Sequence, residues 1–211
     1  AAQRYIPPVV QPSNRGPFSQ KIAIIGGGPA GMSCAYYLAE KGYRPTVFER
    51  EIHPGGMLMN GIPSFRLEKD VVEAEIDVLR QMGVEFRCGV NVGQDVTIEQ
   101  LRQQGYEGFY LAIGLQSGGI LPIPGAESAG VLPGIDLMRR VNLGEEVKLS
   151  GKVVVIGGGN IACDVARTAV RSGAESVEMY CLESDAEMPC GEEDKAEVLA
   201  DGITIHAGWG P

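Results

Sequence analysis

The sequence has no long hydrophobic run, and basic residues are scarce relative to acidic ones. No apolar stretch approaches the roughly 18 consecutive residues that a transmembrane helix needs. The 18 lysines and arginines are outnumbered by 27 aspartates and glutamates, which gives a net charge of −9. That charge disfavours binding to nucleic acid or to an anionic membrane surface. We therefore expect no nucleic-acid partner and no membrane insertion.

Paired cysteine motifs are also missing from the sequence. The five cysteines are Cys34, Cys88, Cys163, Cys181 and Cys190, and no two of them form C-x-x-C. This spacing excludes a thioredoxin-type dithiol motif and a zinc knuckle. An odd number of cysteines without such motifs predicts reduced thiols in a cytoplasmic protein, most of them small buried side chains.

Glycine, in contrast, is abundant, with 30 residues in a chain of 211, about twice the usual share. Residues 21–50 read KIAIIGGGPAGMSCAYYLAEKGYRPTVFER. This pattern predicts a buried strand over residues 22–25, a glycine turn over 26–31, a helix, and a strand that ends on Glu49. G-x-G-x-x-G in this setting indicates a dinucleotide site, whereas the alternative is a plain strand–turn–helix.

Each position of the motif has a physical task. Gly26 permits the tight turn, Gly28 lets a diphosphate approach the backbone, and Gly31 lets the helix pack close to the strand. The free N–H groups at the positive end of the helix face the phosphates. Glu49 can accept hydrogen bonds from a ribose diol, and it would repel a 2′-phosphate.

An unusually apolar segment follows this first unit. Residues 51–66 read EIHPGGMLMNGIPSFR. Gly55 and Gly56 allow close approach of a flat ligand, and Met57 and Leu58 could cover an aromatic face. A small satellite core beneath a loop is the alternative. A flavin pocket must cover a large ring, so this segment favours the flavin at the first unit.

The strand–turn–helix–strand pattern then returns about 130 residues later in the chain. It predicts a strand over residues 152–156, the turn GGGNIA over residues 157–162, a helix to about Ser172 and a strand over residues 177–180. Ala162 at the last motif position is an accepted variant. Two such units predict two dinucleotide sites, one for a flavin and one for a nicotinamide cofactor.

These patterns predict an α/β chain with two Rossmann-like dinucleotide-binding domains. We expect a lead-in linker over residues 1–19 and the N-terminal part of an FAD-binding domain over residues 20–117. A crossover over residues 118–150 would then lead to an incomplete NAD(P)-binding domain over residues 151–211. The charge is uneven between the halves. Residues 1–117 carry 11 basic and 12 acidic side chains, net −1, and residues 118–211 carry 7 and 15, net −8.

Five segments together carry a family resemblance: IIGGGPAGMSCA, GGMLMNGIPSFRL, YLAIGLQ, VIGGGNIACDVARTAVRSGA and EMPC. Over residues 20–211 the chain resembles the FAD- and NAD(P)H-binding region of the glutamate synthase small subunit and dihydropyrimidine dehydrogenase flavoprotein family. The resemblance implies a nicotinamide domain inserted in the FAD domain. The family's closing flavin segment and its cysteine-rich iron–sulfur region have no counterpart here. We therefore expect a truncated chain, with iron–sulfur clusters outside this fragment.

The resemblance, together with the residues themselves, indicates which positions bind the cofactors. The positions expected to contact FAD are Gly26, Gly28, Pro29, Ala30, Gly31, Glu49, Arg50, Gly56, Met57, Leu58, Arg66, Val92, Ala112, Ile113 and Gly114. The positions expected to contact the nicotinamide dinucleotide are Gly157, Gly159, Asn160, Ile161, Leu182 and Glu183. No catalytic acid or base and no metal ligand is expected within the chain, because the cofactors carry the chemistry.

The chain departs from the NADPH-using members at one informative place. Those members carry Tyr-Arg-Arg where this chain has Cys181, Leu182 and Glu183, and their arginines pair with the 2′-phosphate. A carboxylate at this strand end favours a free ribose diol, and the acidic second half agrees with it. The sequence therefore predicts NADH in preference to NADPH. The alternative is that Glu183 is only a solvated strand end.

The expected activity is hydride transfer from NADH, or from NADPH, to FAD. The electrons would then pass to an iron–sulfur protein or domain. One alternative is a non-catalytic flavoprotein that serves as an electron relay or scaffold subunit of a larger complex. Another is that the chain as given binds neither cofactor on its own.

Overall fold

The computed structural model describes residues 18–210, which divide into two compact units. Unit 1 comprises residues 18–60 and 64–115, and unit 2 comprises Gly61–Pro63 and residues 116–210. Each unit has its own parallel β-sheet, so the α/β class with Rossmann-like parallel sheets is confirmed. Most of the lead-in linker predicted for residues 1–19 lies outside the described residues. The assignment of one cofactor to each unit stays a prediction.

Unit 1 is built on a four-stranded sheet with the order β3-β2-β1-β4, in which all neighbours are parallel. Its elements in chain order are β1 Lys21–Ile25, α1 Pro29–Glu40, β2 Thr46–Glu49, α2 Met57–Asn60, α3 Lys69–Gln81, β3 Glu85–Cys88, α4 Ile98–Gln103 and β4 Tyr106–Leu111. β1, α1 and β2 lie where the sequence pattern predicts them to within a few residues. The one-turn helix α2 was predicted only as an apolar segment.

The central strand β1 is buried on both faces of the sheet, as its apolar composition predicts. Ile24 packs with residues of α1 and α3 on one face. Its neighbours Ala23 and Ile25 point to the other face, where they pack with Leu101 of α4 and with Tyr106. Both faces of this sheet are therefore covered, which holds the turn after β1 at the edge formed by the strand ends.

The short helix α4 begins with a pair of reciprocal hydrogen bonds between side chains and backbone. The Thr97 side chain accepts a hydrogen bond from the Gln100 backbone N–H at 3.2 Å, and the Gln100 side chain accepts one from the Thr97 N–H at 2.8 Å. This reciprocal pair is a capping box, and it satisfies two N–H groups that would otherwise lack an intrahelical partner.

Unit 2 has a three-stranded parallel sheet with the order β5-β6-β7. Its elements are α5 Gly134–Asn142, β5 Lys152–Ile156, α6 Asn160–Arg171, β6 Ser176–Cys181, α7 Glu192–Ala200 and β7 Thr204–Ala207. Val155 and Met179 on one face pack in a core with residues of all three helices. On the other face Val154 is 51% exposed and Ile156 is 49% exposed, so only one face of this sheet is covered within the unit.

Charged side chains join α6 to the end of α7. Arg167 Nε donates to Asp201 Oδ2 at 2.8 Å, and Arg167 also pairs with Glu197. Arg171 Nη1 donates to the same Asp201 oxygen at 2.7 Å. The hydrogen bond from Arg171 is the main cause that lowers the pKa of the Asp201 carboxyl. Both arginines therefore contribute to helix packing in unit 2.

Across residues 18–210, no helix combines the length and the apolar character that crossing a membrane requires.

Gly31 provides the first testable prediction. A Cβ on this residue would lie 1.9 Å from the carbonyl oxygen of Gly26, so Gly31→Ala forces two backbone segments apart. We expect the substitution to lower the free energy of unfolding by about 3 kcal/mol, measured by urea denaturation followed by circular dichroism.

Gly119→Ala is the matched control for this substitution. A Cβ there would meet nothing within 4 Å, and Gly119 does not have a positive φ. We expect it to change the free energy of unfolding by less than about 0.5 kcal/mol. Equal stability of the two variants would contradict the close packing of α1 on β1.

Candidate dinucleotide-binding sites

The first glycine turn lies between β1 and α1 and is confined by the ends of two other strands. The Gly26 N–H donates to the Phe48 carbonyl at 2.8 Å, and φ of Gly26 is 106°. A Cβ on Gly26 would lie 2.3 Å from the carbonyl oxygen of Ala112, which follows β4. The Ala112 N–H in turn donates to the Ile25 carbonyl at 2.8 Å. Only glycine fits this turn, because both its φ and the space around it exclude a side chain.

Two glycine backbones face each other beside the start of α1. A Cβ on Gly56 would lie 2.7 Å from Gly28 Cα, and a Cβ on Gly28 would lie 3.7 Å from Gly56 Cα. Gly28 is the N-cap residue of α1 and offers no side-chain cap, so the first N–H groups of the helix have no capping side chain. A helix N-terminus with free N–H groups and no side chain in front of it fits a diphosphate.

Glu49 braces this turn with both of its carboxylate oxygens. Its Oε2 accepts a hydrogen bond from the Gly27 N–H at 2.7 Å, and its Oε1 accepts one from the Glu51 N–H at 2.9 Å. Glu49 is 3% exposed. Each carboxylate oxygen can accept a further hydrogen bond, so a ribose hydroxyl remains a possible partner. The sequence indicates a ribose contact for Glu49 but not this bracing, which depends on the folded shape of two loops.

The loop after β2 is attached directly to the glycine turn. The Gly55 N–H donates to the Gly27 carbonyl at 2.8 Å, which brings Gly56 opposite Gly28. Met57 and Leu58 follow at once in α2, and both are half-buried. The apolar segment predicted to cover a flat ligand therefore begins beside the candidate diphosphate site.

The other positions predicted for FAD are spread along unit 1. Pro29 and Ala30 form the exposed first turn of α1, and Ile113, with Gly114 after it, is 67% exposed beyond β4. Val92 follows β3 and forms a single bridge with Val96. Arg50 lies directly after Glu49, with its Nε 3.3 Å from Glu51 Oε1. Arg66 is exposed in the segment between α2 and α3.

The second glycine turn, in unit 2, repeats the geometry of the first. The Gly157 N–H donates to the Tyr180 carbonyl at 2.8 Å, and φ of Gly157 is 133°. Gly159 is the N-cap residue of α6, again without a side-chain cap, and a Cβ on it would meet nothing within 4 Å. Ala162 stands where the first motif has Gly31, and its Cβ would lie 3.3 Å from a Cβ on Gly157. At the second turn, too, the N-terminus of the following helix has no capping side chain, and the space beside its N-cap glycine is open.

The loop after the second strand is attached to the turn in the same way in both units. In unit 1 the Gly27 carbonyl accepts from the Gly55 N–H, and in unit 2 the Gly158 carbonyl accepts from the Cys190 N–H at 3.1 Å. The Asn160 Oδ1 also accepts a hydrogen bond from the Gly191 N–H at 3.2 Å. Asn160, predicted to bind the cofactor, therefore also holds this loop, a contact that the sequence did not indicate.

The strand register shows that the acidic residues of the two units, Glu49 and Glu183, do not occupy equivalent positions. Ile25 pairs with Phe48 in unit 1, and Ile156 pairs with Tyr180 in unit 2, so Cys181 corresponds to Glu49. Glu183 follows the end of β6 by two residues. The Glu183 carboxylate nevertheless lies close to the turn, with its Oε2 3.6 Å from the position that a Cβ on Gly158 would occupy.

The corresponding distance in unit 1, from Glu49 Oε2 to a Cβ on Gly27, is 3.1 Å. A carboxylate therefore reaches the middle glycine of both turns, although the two carboxylates start from different positions. Two further predicted residues, Ile161 and Leu182, lie near the second turn and are 65% and 73% exposed.

The sequence of the whole described region matches one family model. That model, described as Pyridine nucleotide-disulphide oxidoreductase, covers residues 20–209. The chain belongs to this family. The two glycine turns, with their strands and helices, lie inside the matched region.

Curated relatives agree with this membership. The chain is 42% identical over 190 residues to the beta subunit of NADP(+)-dependent formate dehydrogenase from Moorella thermoacetica, a match that covers 89% of this chain and 27% of that protein. It is 36% identical over 192 residues to the PreT subunit of NAD-dependent dihydropyrimidine dehydrogenase from Escherichia coli K12, covering 90% and 46%. It is 41% identical over 197 residues to the glutamate synthase [NADPH] small chain from Halomonas elongata, covering 87% and 41%.

These matches confirm the resemblance to the glutamate synthase small subunit and dihydropyrimidine dehydrogenase family. The chain spans less than half the length of each of these three relatives.

Solved structures with a similar fold are known as well. FprA from Mycobacterium tuberculosis in complex with NADPH superposes with a TM-score of 0.70 at 23% identity, covering 86% of this chain and 47% of that one. Thioredoxin reductase from Lactococcus lactis has a TM-score of 0.62 at 22% identity, covering 90% and 65%. At these identities the likeness concerns the fold alone.

Gly159 offers a substitution that separates binding from folding. Its φ is −87° and the space in front of it is open, so Gly159→Ala should cost less than about 1 kcal/mol of stability. The added methyl group would fill the gap through which a diphosphate reaches the N–H groups of α6. We expect the dissociation constant for NADH, from fluorescence titration of the full-length protein, to rise at least about tenfold.

Gly119→Ala, which adds the same methyl group in open space elsewhere in unit 2, is the control and should bind NADH like the wild type. Unchanged NADH affinity in a folded Gly159→Ala protein would show that the second turn is not a nucleotide site.

Proposed function

We propose that this protein is a flavoprotein oxidoreductase in which NADH reduces FAD and the electrons pass to an iron–sulfur protein or domain. The observation that carries the proposal is one turn geometry present twice. In each unit a glycine N–H is bonded to the neighbouring strand, and an N-cap glycine leaves the following helix without a side-chain cap. Two such turns supply two diphosphate sites, which is what one nucleotide reducing another requires.

The residues around the first turn fit FAD. The backbones of Gly28 and Gly56 approach each other closely and place no side chain beside the start of α1, and Glu49 stands at the end of β2, where a ribose diol would be accepted. Met57 and Leu58, which follow Gly56 in the chain, supply apolar cover for an aromatic ring. Bound FAD would supply the redox chemistry, accepting a hydride from NADH and passing electrons on. The role of the chain is to bind and orient the nucleotides, and no side chain needs to act as an acid or a base.

An iron–sulfur acceptor is supported by resemblance and by the kind of proteins to which the chain is similar. The relatives from Moorella thermoacetica and Escherichia coli are named as subunits, and each is longer than this chain. A subunit that reduces its flavin with NADH passes the electrons to another subunit or domain. We propose that this acceptor contains iron–sulfur clusters, as in the family that the motifs resemble.

A non-catalytic relay or scaffold is the second candidate function. A relay would need the first turn to hold the flavin, but it would not need the second turn to stay open. Gly159 has open space in front of it and Glu183 reaches the same turn, as expected of a working nucleotide site. These observations favour the enzyme over the relay.

Anaerobic titration of the full-length protein with NADH tests the proposal. We expect bound FAD to lose its long-wavelength absorbance in proportion to the NADH added, because hydride transfer reduces the flavin. In the Gly159→Ala variant, FAD should stay bound and the bleaching should slow severely. FAD that remains oxidised after addition of either NADH or NADPH would overturn the proposed enzyme activity and favour the non-catalytic relay. Absence of bound FAD would overturn both.

We further propose that NADH is preferred over NADPH. The names of the relatives include both NAD- and NADP-dependent enzymes, so they do not decide the matter. The support comes from the second turn, where the Glu183 carboxylate lies near Gly158 and Leu182 is exposed beside it. A carboxylate at this point accepts hydrogen bonds from a ribose diol and repels a 2′-phosphate.

A charge reversal tests this preference. We expect wild-type kcat/KM for NADH to exceed that for NADPH by at least about tenfold, and the Leu182→Arg, Glu183→Arg double variant to reverse the ratio, because two guanidinium groups pair with the 2′-phosphate. Glu175→Arg is the control: this exposed residue precedes β6 at the opposite end of the strand. A wild-type ratio that favours NADPH would contradict the preference.

A further inference from the structure

Three cysteines that are distant in sequence meet around the second glycine turn. Cys163 lies in α6 and is fully buried, Cys181 ends β6, and Cys190 precedes α7 and is half-buried. Cys190 packs against the core that contains the Cys163 side chain, and its proximity is one of the causes that raise the pKa of the Cys163 thiol. All three cysteines are free thiols.

The segment that carries Cys190 is also hydrogen-bonded to the second glycine turn, at the residues before and after Gly159. The Cys190 N–H donates to the Gly158 carbonyl at 3.1 Å, and the next N–H, of Gly191, donates to Asn160 Oδ1 at 3.2 Å. A displacement of Cys190 is therefore transmitted to the Gly158 backbone and, through the Asn160 side chain, to the first residue of α6.

We propose that Cys163 and Cys190 form a reversible disulfide by exchange with a low-molecular-weight disulfide, and that this bond weakens binding of the nicotinamide dinucleotide at the adjacent turn. The second part rests on the proposed function, whereas the first part concerns the two thiols alone. A dithiol site is therefore present although the sequence contains no C-x-x-C motif.

The exchange begins at the half-buried thiol. Cys190 loses its proton and attacks one sulfur of the small disulfide, which forms a mixed disulfide and releases one thiolate. Cys163 then gives up its proton and attacks the Cys190 sulfur, which closes the protein disulfide and releases the second thiolate. Two protein thiols are oxidised, and one small disulfide is reduced to two thiols.

The environments of the other thiols determine this order. Burial, with a smaller contribution from Cys190, raises the pKa of the Cys163 thiol to about 12, so Cys163 is a poor entering nucleophile and the second step is slow. Burial also raises the pKa of Cys181, which is 2% exposed and whose thiol faces the Glu183 carbonyl at 3.7 Å. Cys190 is therefore the entry point of the cluster.

Closing the bond must change the shape of the turn. The two sulfurs have to come to about 2.05 Å from each other in a disulfide, which is closer than any contact between free thiols. Cys163 is fixed in the core of unit 2, so Cys190 moves, and its hydrogen bonds carry the movement to Gly158 and Asn160. N–H groups displaced in this way no longer match a diphosphate, and we expect the dissociation constant for NADH to rise about fivefold or more.

Peptide mapping of the wild-type, full-length protein tests the first part. The protein is treated with oxidised glutathione, denatured without reductant, and its remaining thiols are alkylated before digestion. We expect a peptide pair linked through Cys163 and Cys190 that separates on reduction. A link between Cys181 and Cys190, or alkylation of all three cysteines, would overturn the proposal.

Single substitutions test the order of the exchange. Cys163→Ser should retain one glutathione on Cys190, and Cys190→Ser should leave Cys163 unmodified in the folded protein. Cys88→Ser is the control, because Cys88 is another half-buried thiol but lies in unit 1, and the yield of the linked pair should not change. Glutathione found on Cys163 in the Cys190→Ser variant would contradict the assigned entry point.

NADH titration of the oxidised and reduced wild-type protein tests the second part. The expected rise in the dissociation constant should disappear on reduction and should be missing in the Cys163→Ser, Cys190→Ser double variant. A mapped disulfide with unchanged NADH affinity would overturn the regulatory part alone. Failure of the reduced protein to bind NADH would overturn that part together with the proposed function, and the peptide map would still decide whether the disulfide forms.

Discussion

The close approach of a helix to the turn before it is the constraint on which both units depend. In unit 1 this approach leaves no room for a Cβ on Gly31, which would meet the Gly26 carbonyl oxygen at 1.9 Å. In unit 2 the alanine at the same motif position, Ala162, fits beside Gly157. Because each helix starts so near its strand, its first N–H groups stand at the edge formed by the strand ends, where an anionic ligand can reach them.

The same hydrogen-bond pattern in two units connects this constraint to function. In both, the carbonyl of the middle glycine accepts from the loop after the second strand, through Gly55 or through Cys190. The loops then differ. One supplies Gly56 and an apolar helical turn, and the other supplies Cys190, which packs against the core that contains Cys163. A shared backbone frame therefore leads into two different loops.

Local signals in the sequence predicted most of the fold. The apolar run before Gly26 and the two glycine motifs each act over a few residues, and the elements that they predict are present. Contacts between distant loops were not predictable in this way. The bracing of Gly27 by Glu49 and the meeting of Cys163 with Cys190 depend on loop shape. The register that aligns Cys181 with Glu49 needed the paired strands.

Joint equilibrium binding of FAD and NAD+ to the full-length protein tests the central claim, that the two glycine turns are separate diphosphate sites. The oxidised nucleotide is used so that no reduction occurs during the titration. We expect that one FAD and one NAD+ bind together and that saturation with either leaves room for the other. Displacement of FAD by NAD+, or a single site shared by both, would contradict it.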